Sequence, residues 1–141
     1  MIKKFLGILV IAFLFSCEKE GIYTSDVAQK QLNTVNPNEQ ITTLKSGVFS
    51  PTSGITVMGE AEINQQGNLR FVSLENFSIS EGPDLKVYLS TSDAPTTFVN
   101  LGNLSTSQNY VIPHEVDLQV YNYVLIHCQQ YNHLFAIASL N

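Results

Sequence analysis

Beyond Lys45 the chain alternates with a period of two. Val57, Gly59, Ala61 and Ile63 fall on one side of an extended segment, and Met58, Glu60, Glu62 and Asn64 on the other. That is the pattern of a pleated strand with one apolar and one wet face. Gln65-Gln66-Gly67-Asn68 then supplies turn-forming residues ahead of Leu69-Arg70-Phe71-Val72-Ser73-Leu74, so the two segments predict a hairpin. Gly82-Pro83-Asp84 opens a third alternating run, with Leu85, Val87 and Leu89 on one face and Lys86, Tyr88 and Ser90 on the other. Proline fixes φ there and glycine relieves the crowding, so the chain can bend just before it enters a sheet. Short apolar stretches at 98–101, 110–112, 121–128 and 134–140 follow, separated by Gly, Asn, Ser and Pro. Roughly seven to nine short strands at this spacing, with no competing amphipathic helix, predict an all-β fold: a single antiparallel β-sandwich or barrel-like domain.

The first residues follow a different pattern. Met1-Ile2-Lys3-Lys4 is basic, and Phe5 to Phe15 contains no charged side chain. This run is shorter than the roughly 20 residues a helix needs to cross a bilayer and matches a signal peptide. It ends in Leu14-Phe15-Ser16-Cys17, which looks like a lipobox, so residues 1–16 are predicted to be removed and Cys17 to carry the lipid. Several acyl chains at about 0.8 kcal/mol per buried CH₂ would hold the mature protein on a membrane. Glu18-Lys19-Glu20 is unlike an Asp-type inner-membrane retention signal, so the expected address is the cell envelope, at the outer membrane. From Gly21 to about Leu44 the chain is polar and reads as a tether, residues 17–44 in all, ahead of a domain over 45–141, or alternatively as an N-terminal strand or helix that docks on that domain. Some twenty flexible residues span about 25 Å root-mean-square.

Charge narrows the partners. Without residues 1–16 the chain keeps five basic against twelve acidic side chains, a formal charge of −7. With no Lys/Arg cluster, this argues against nucleic acid and anionic headgroups as ligands. Once Cys17 is lipidated, Cys128 is the one remaining cysteine, so no internal disulfide can form and the fold must rest on packing.

Hydrolase elbows, phosphate loops, dinucleotide turns, Cys-x-x-Cys pairs and haem-attachment motifs are all missing from the sequence. What remains is the segment Tyr121-Asn122-Tyr123-Val124-Leu125-Ile126-His127-Cys128-Gln129-Gln130-Tyr131-Asn132-His133, followed by Leu134-Phe135-Ala136-Ile137-Ala138. Together with Gly82-Pro83-Asp84-Leu85-Lys86-Val87-Tyr88-Leu89-Ser90, with Phe98 to Leu104 and with Tyr110-Val111-Ile112-Pro113, this resembles the electron-transfer DM-thirteen domain over about Gly47 to Leu140. The resemblance implies an all-β, extracytoplasmic domain, often found beside DOMON-type haem domains. It further implies a redox role through one cysteine, bare or as a ligand, which falls on Cys128, and a redox protein as partner. The sequence departs from the family at His127, where tryptophan is common, and in the shortened Ser107-Gln108-Asn109-Tyr110.

Strand geometry sends His127 and Cys128 to opposite faces, so both cannot bind one metal within a regular strand. His133 is the better partner: a four-residue loop Gln129–Asn132 would set it across from Cys128, within reach of a thiolate–imidazolium pair or shared ligation. Two such residues fall short of the three or four ligands of a zinc site, and His114 is the one other histidine; no metal is predicted. Haem needs only one or two axial side chains, so it stays a candidate cofactor with Cys128 or a histidine as ligand. Cys128 keeps two other readings, an inert core thiol and an intermolecular disulfide. Asp84 reads as a fastener of loop amides, completing a structural turn with Gly82 and Pro83. Glu60 and Glu62, near Arg70, read as a solvated charged face. Tyr121, Tyr123 and Tyr131 fit strand propensity, or a row on a binding surface. Two functions follow: a membrane-anchored accessory domain in electron transfer, or a non-catalytic surface module that binds protein or glycan.

Overall fold

The computed structural model describes residues 38–105 and 109–141; the expected signal peptide, Cys17 and most of the expected tether lie outside them. Eight strands form: β1 (Ile41–Pro51), β2 (Val57–Gln66), β3 (Leu69–Ile79), β4 (Leu85–Ser90), β5 (Phe98–Asn103), β6 (Asn109–Val111), β7 (Tyr123–Cys128) and β8 (His133–Ser139). They pair antiparallel in the order β5-β4-β7-β8-β1-β2-β3-β6. The edge strands β5 and β6 approach one another, so the sheet nearly closes into a barrel. The all-β, antiparallel, barrel-like class predicted by the alternation is the one observed.

β1 starts earlier than the composition suggested. Ile41, Thr42 and Thr43 pair with Gln66, Gln65 and Asn64, so residues counted in the tether up to Leu44 belong to the sheet. Ile41 and Leu44 are exposed; backbone pairing, rather than a buried face, holds this stretch, and an alternation of apolar residues could not reveal it. Residues 41–48 of β1 pair with β2, and Phe49–Pro51 pair with β8. Gly47 lies near this changeover, where a Cβ would stand 2.1 Å from the Ser139 carbonyl oxygen. Only glycine allows so close an approach of two backbones.

The predicted β2–β3 hairpin forms with a tighter connection than the sequence implied, Gly67-Asn68 alone, and Gly67 takes the left-handed φ of +58°. Near its other end the ladder is broken at Gly59, whose φ of +104° faces a left-handed Asn76. A bulge of this kind bends the strand and sharpens its twist, which helps a sheet close. Ala61, Ile63, Val72, Leu74, Val87, Leu89, Val124, Ile126, Ala136 and Ala138 fill the interior from opposing walls.

The barrel has two poles, with β1 running from one to the other. The connections 52–56, 80–84 and 129–132 gather at one pole. The chain enters at the other beside Gly67-Asn68, where 91–97, 112–122 and Asn141 also lie. Arg70 serves this second pole rather than the acidic face. It pairs across from Gln65, and its guanidinium donates to the carbonyls of Pro113 (3.0 Å), His114 (3.0 Å) and Val116 (3.1 Å). Glu60 and Glu62 instead pair across from Glu75 and Ser73, and Glu62 accepts from Asn64 Nδ2 at 3.2 Å. Lys45 fastens the same long loop, donating to the Leu118 carbonyl at 2.8 Å and to Asn122 Oδ1.

Candidate functional site: the Cys128 pole

β7 carries apolar residues at almost every position because both its faces are covered. Val124, Ile126 and Cys128 point into the main core, whereas Leu125 and His127 point outward and are buried as well. Cys128 ends the strand at 0% exposure, across from Leu85 on β4 and His133 on β8. The loop Gln129–Asn132 has the predicted four residues, closed by Asn132 N–H donating to the Gln129 carbonyl at 3.2 Å with Asn132 left-handed at φ +47°.

Gly82-Pro83-Asp84 lies over this end of the barrel. A Cβ on Gly82 would meet Leu85 Cδ2 at 2.8 Å and Phe135 Cε2 at 3.1 Å, and both side chains pack in the core that holds Cys128. The Asp84 backbone carbonyl accepts the Gln129 N–H at 3.0 Å and ties the turn to the hairpin tip. The fastening role expected of Asp84 is thus performed by its main chain. Its carboxylate pairs with Lys86 Nζ at 2.7 Å, and Lys86 also donates to Asn103 Oδ1.

Of the two histidines, His133 holds the register opposite Cys128 but is exposed, and its ring packs edge-on against Phe135 with centroids 5.3 Å apart. No hydrogen bond joins it to the thiol among the described residues. His127 faces the other way, as strand alternation requires. It is 5% exposed and stacks on Tyr88 at 5.3 Å and 28°, and Tyr88 stacks on Phe98 at 4.1 Å and 14°. Its Nδ1 is buried with no hydrogen-bond partner. Burial pushes the imidazole below the usual histidine range; the Asn132 side chain acts in the opposite sense, and the charge of His133 adds to the depression. Burial, helped by the Asp84 carboxylate, holds the Tyr88 phenol above its usual range. The ring cluster around His127 was hidden in the sequence. Tyr88 and Phe98 are ordinary strand residues there, and only the pairing of β4 with both β5 and β7 brings them together.

The pole suits some chemistries better than others. A haem does not fit at Cys128, because the volume in front of the thiol is filled by core side chains and the buried imidazole lies on the far side of the strand. Among the described residues no three His, Cys, Asp or Glu side chains converge as metal ligands. The tyrosines do not form a row: Tyr131 is 68% exposed at the Cys128 pole, while Tyr121 lies toward the opposite pole and is half-buried.

No curated protein and no solved structure matches this chain. A family model described as electron transfer DM13 matches residues 49–140. The match starts where β1 turns inward at Phe49 and includes the Gly82 turn, the rings around His127, and Cys128. With well over half of its length so matched, the chain belongs to the electron transfer DM13 family.

Proposed function

We propose that this DM13 domain is a lipid-anchored accessory domain in extracytoplasmic electron transfer, and that Cys128 serves it as a bare thiol. One observation carries the reading: the two segments on which the family resemblance chiefly rests, the Gly-Pro-Asp turn and the strand ending in cysteine, meet at one pole through the Asp84–Gln129 hydrogen bond. With Cys17 lipidated there is no second thiol in the chain, so two-electron chemistry at Cys128 runs as exchange with a partner protein. The Cys128 thiolate attacks one sulfur of a partner's disulfide, a mixed disulfide forms, and the other partner sulfur leaves as a thiolate that takes up the proton Cys128 gave up. Because the thiol is closed off, exchange requires the hairpin tip to open first. The anchor at Cys17, on the outer membrane, would keep the domain near envelope redox proteins.

The test is equilibration of the lipidated protein with oxidised and reduced glutathione, read as the mass of a glutathione adduct, beside a visible spectrum taken with added haem. A Cys128 adduct that forms and reverses faster than the barrel unfolds, with no Soret band dependent on Cys128, is the expected result. A thiol that reacts only at the rate of global unfolding would overturn the reading. Membrane fractionation of Cys17→Ala tests the anchor, with release into the soluble fraction expected. The burial of Cys128 at 0% exposure favours a second reading, a non-catalytic binding module in which the thiol only fills the core. The same adduct measurement separates the two.

A further inference from the structure

We propose that His127 is a proton-operated latch, holding the Cys128 pole closed while its ring is neutral and releasing it when the ring is protonated. This is regulation of the site proposed above and rests on that reading.

The geometry supplies both states. In the closed state the imidazole is 5% exposed, covered by Tyr88 on one face, and its Nδ1 has neither donor nor acceptor against it. A neutral ring tolerates that position at the cost of one unsatisfied lone pair. A protonated ring would place an N–H donor and a positive charge there, and burying either without a partner is costly.

The groups around the ring offer little compensation. On β4, Lys86 stands across the strand pair, itself cationic, with its charge taken by Asp84. Tyr88, also on β4, is a phenol that burial keeps protonated. From β8 comes His133, whose charge disfavours a charge on the His127 ring. Asn132, at the hairpin tip, is the one neighbour that favours the charged ring.

Release of the ring falls on the weakest part of the hairpin. The β7–β8 register slips between Ile126 and His127, leaving Phe135 as the extra residue, and Cys128–His133 is the last pair before the tip. Terminal pairs next to an irregularity open at lower free energy than the body of a sheet. Because His127 and Cys128 are adjacent, freeing one ring from the outer face frees the thiol from the inner.

The direction follows from linkage. The closed state holds the ring's affinity for a proton below that of an open, solvated histidine near 6.5. Closure is therefore fully favoured above that value and lost as pH falls below it. The largest shift in the opening equilibrium at pH 5 relative to pH 7.5 is about 30-fold, reached if the closed ring stays neutral throughout.

The experiment is amide hydrogen exchange on the lipidated full chain at pH 5 and pH 7.5, corrected for intrinsic rates. Protection of the amides of Cys128, Gln129 and His133 is expected to fall in acid, by up to about 30-fold, with Ala61 and Leu74 unchanged. In His127→Phe and His127→Gln, neither of which can take the proton, the fall should vanish. Protection at the pole that does not change with pH, a fall that persists in both variants, or a parallel fall at Ala61 and Leu74 would each overturn the latch. Cys128→Ala separates this result from the redox reading. The pH-dependent exchange must survive in that variant, so a Cys128 that forms no adduct removes the redox role and leaves the latch standing.

Discussion

The two poles of the barrel are closed by different means. At the Cys128 pole the closures are mostly turns: a four-residue hairpin tip, a Gly-Pro-Asp bend, and a backbone hydrogen bond from Gln129 to Asp84, with Thr52 adding a tie to β8 through its hydroxyl, which donates to the Leu134 carbonyl at 2.6 Å. At the opposite pole a long connection over residues 112–122 is held by side chains. Arg70 and Lys45 reach its carbonyls from positions 43 and 73 residues away in sequence. Turn chemistry shapes a loop locally but binds it loosely to the rest of the fold. Long cations inserted among carbonyls bind distant segments together, because removing the cation leaves several acceptors without a donor. That contrast predicts that the hairpin tip opens at lower free energy than the long loop.

Substitutions can break that contrast. The largest effect is expected for Arg70→Met, about 2–3 kcal/mol lost in urea unfolding, with faster exchange of the amides at 114–116; a loss under about 0.5 kcal/mol would mean that the long loop is not held as described. Cys128→Ala should cost about 1–2 kcal/mol, as a small cavity in a packed interior, and a cost near zero would mean that the thiol is not packed as the fold implies. Gly82→Ala comes next at about 1 kcal/mol, because the atoms it meets are side-chain tips of Leu85 and Phe135 that can shift. Its effect on Cys128 labelling should exceed its effect on global stability, which sharpens the idea of a separately opening pole. Asp84→Asn is expected to change stability least, by under about 1 kcal/mol, since the ion pair with Lys86 is partly exposed and the tie to Gln129 runs through the carbonyl.

How much of this was legible follows the same division. The strands β2, β3, β4 and β7 announce themselves because they bury at least one face, and period-two patterning is a record of burial. The hairpin tip at Gln129–Asn132 and the placement of His133 across from Cys128 followed from counting residues between strands. Ile41–Leu44 was missed because its strand is held by backbone pairing with outward side chains, which leave no apolar period. Arg70 was assigned to a charged face because its partners are main-chain carbonyls, and every residue type supplies those. Strand alternation set His127 on the face opposite Cys128. That its outward environment is closed depends on Tyr88 and Phe98, from strands that neighbour one another only in space.

Because the chain enters β1 at one pole and Cys128 sits at the other, the domain has a mechanical axis as well as a chemical one. A load applied between the segment before Ile41 and anything bound at the Cys128 pole would run lengthwise along β1. Its long pairing with β2 and its short pairing with β8 would be strained in shear. In that direction the ladder bonds share the force instead of parting one after another, so the barrel would bear tension applied between its N-terminal end and the Cys128 pole.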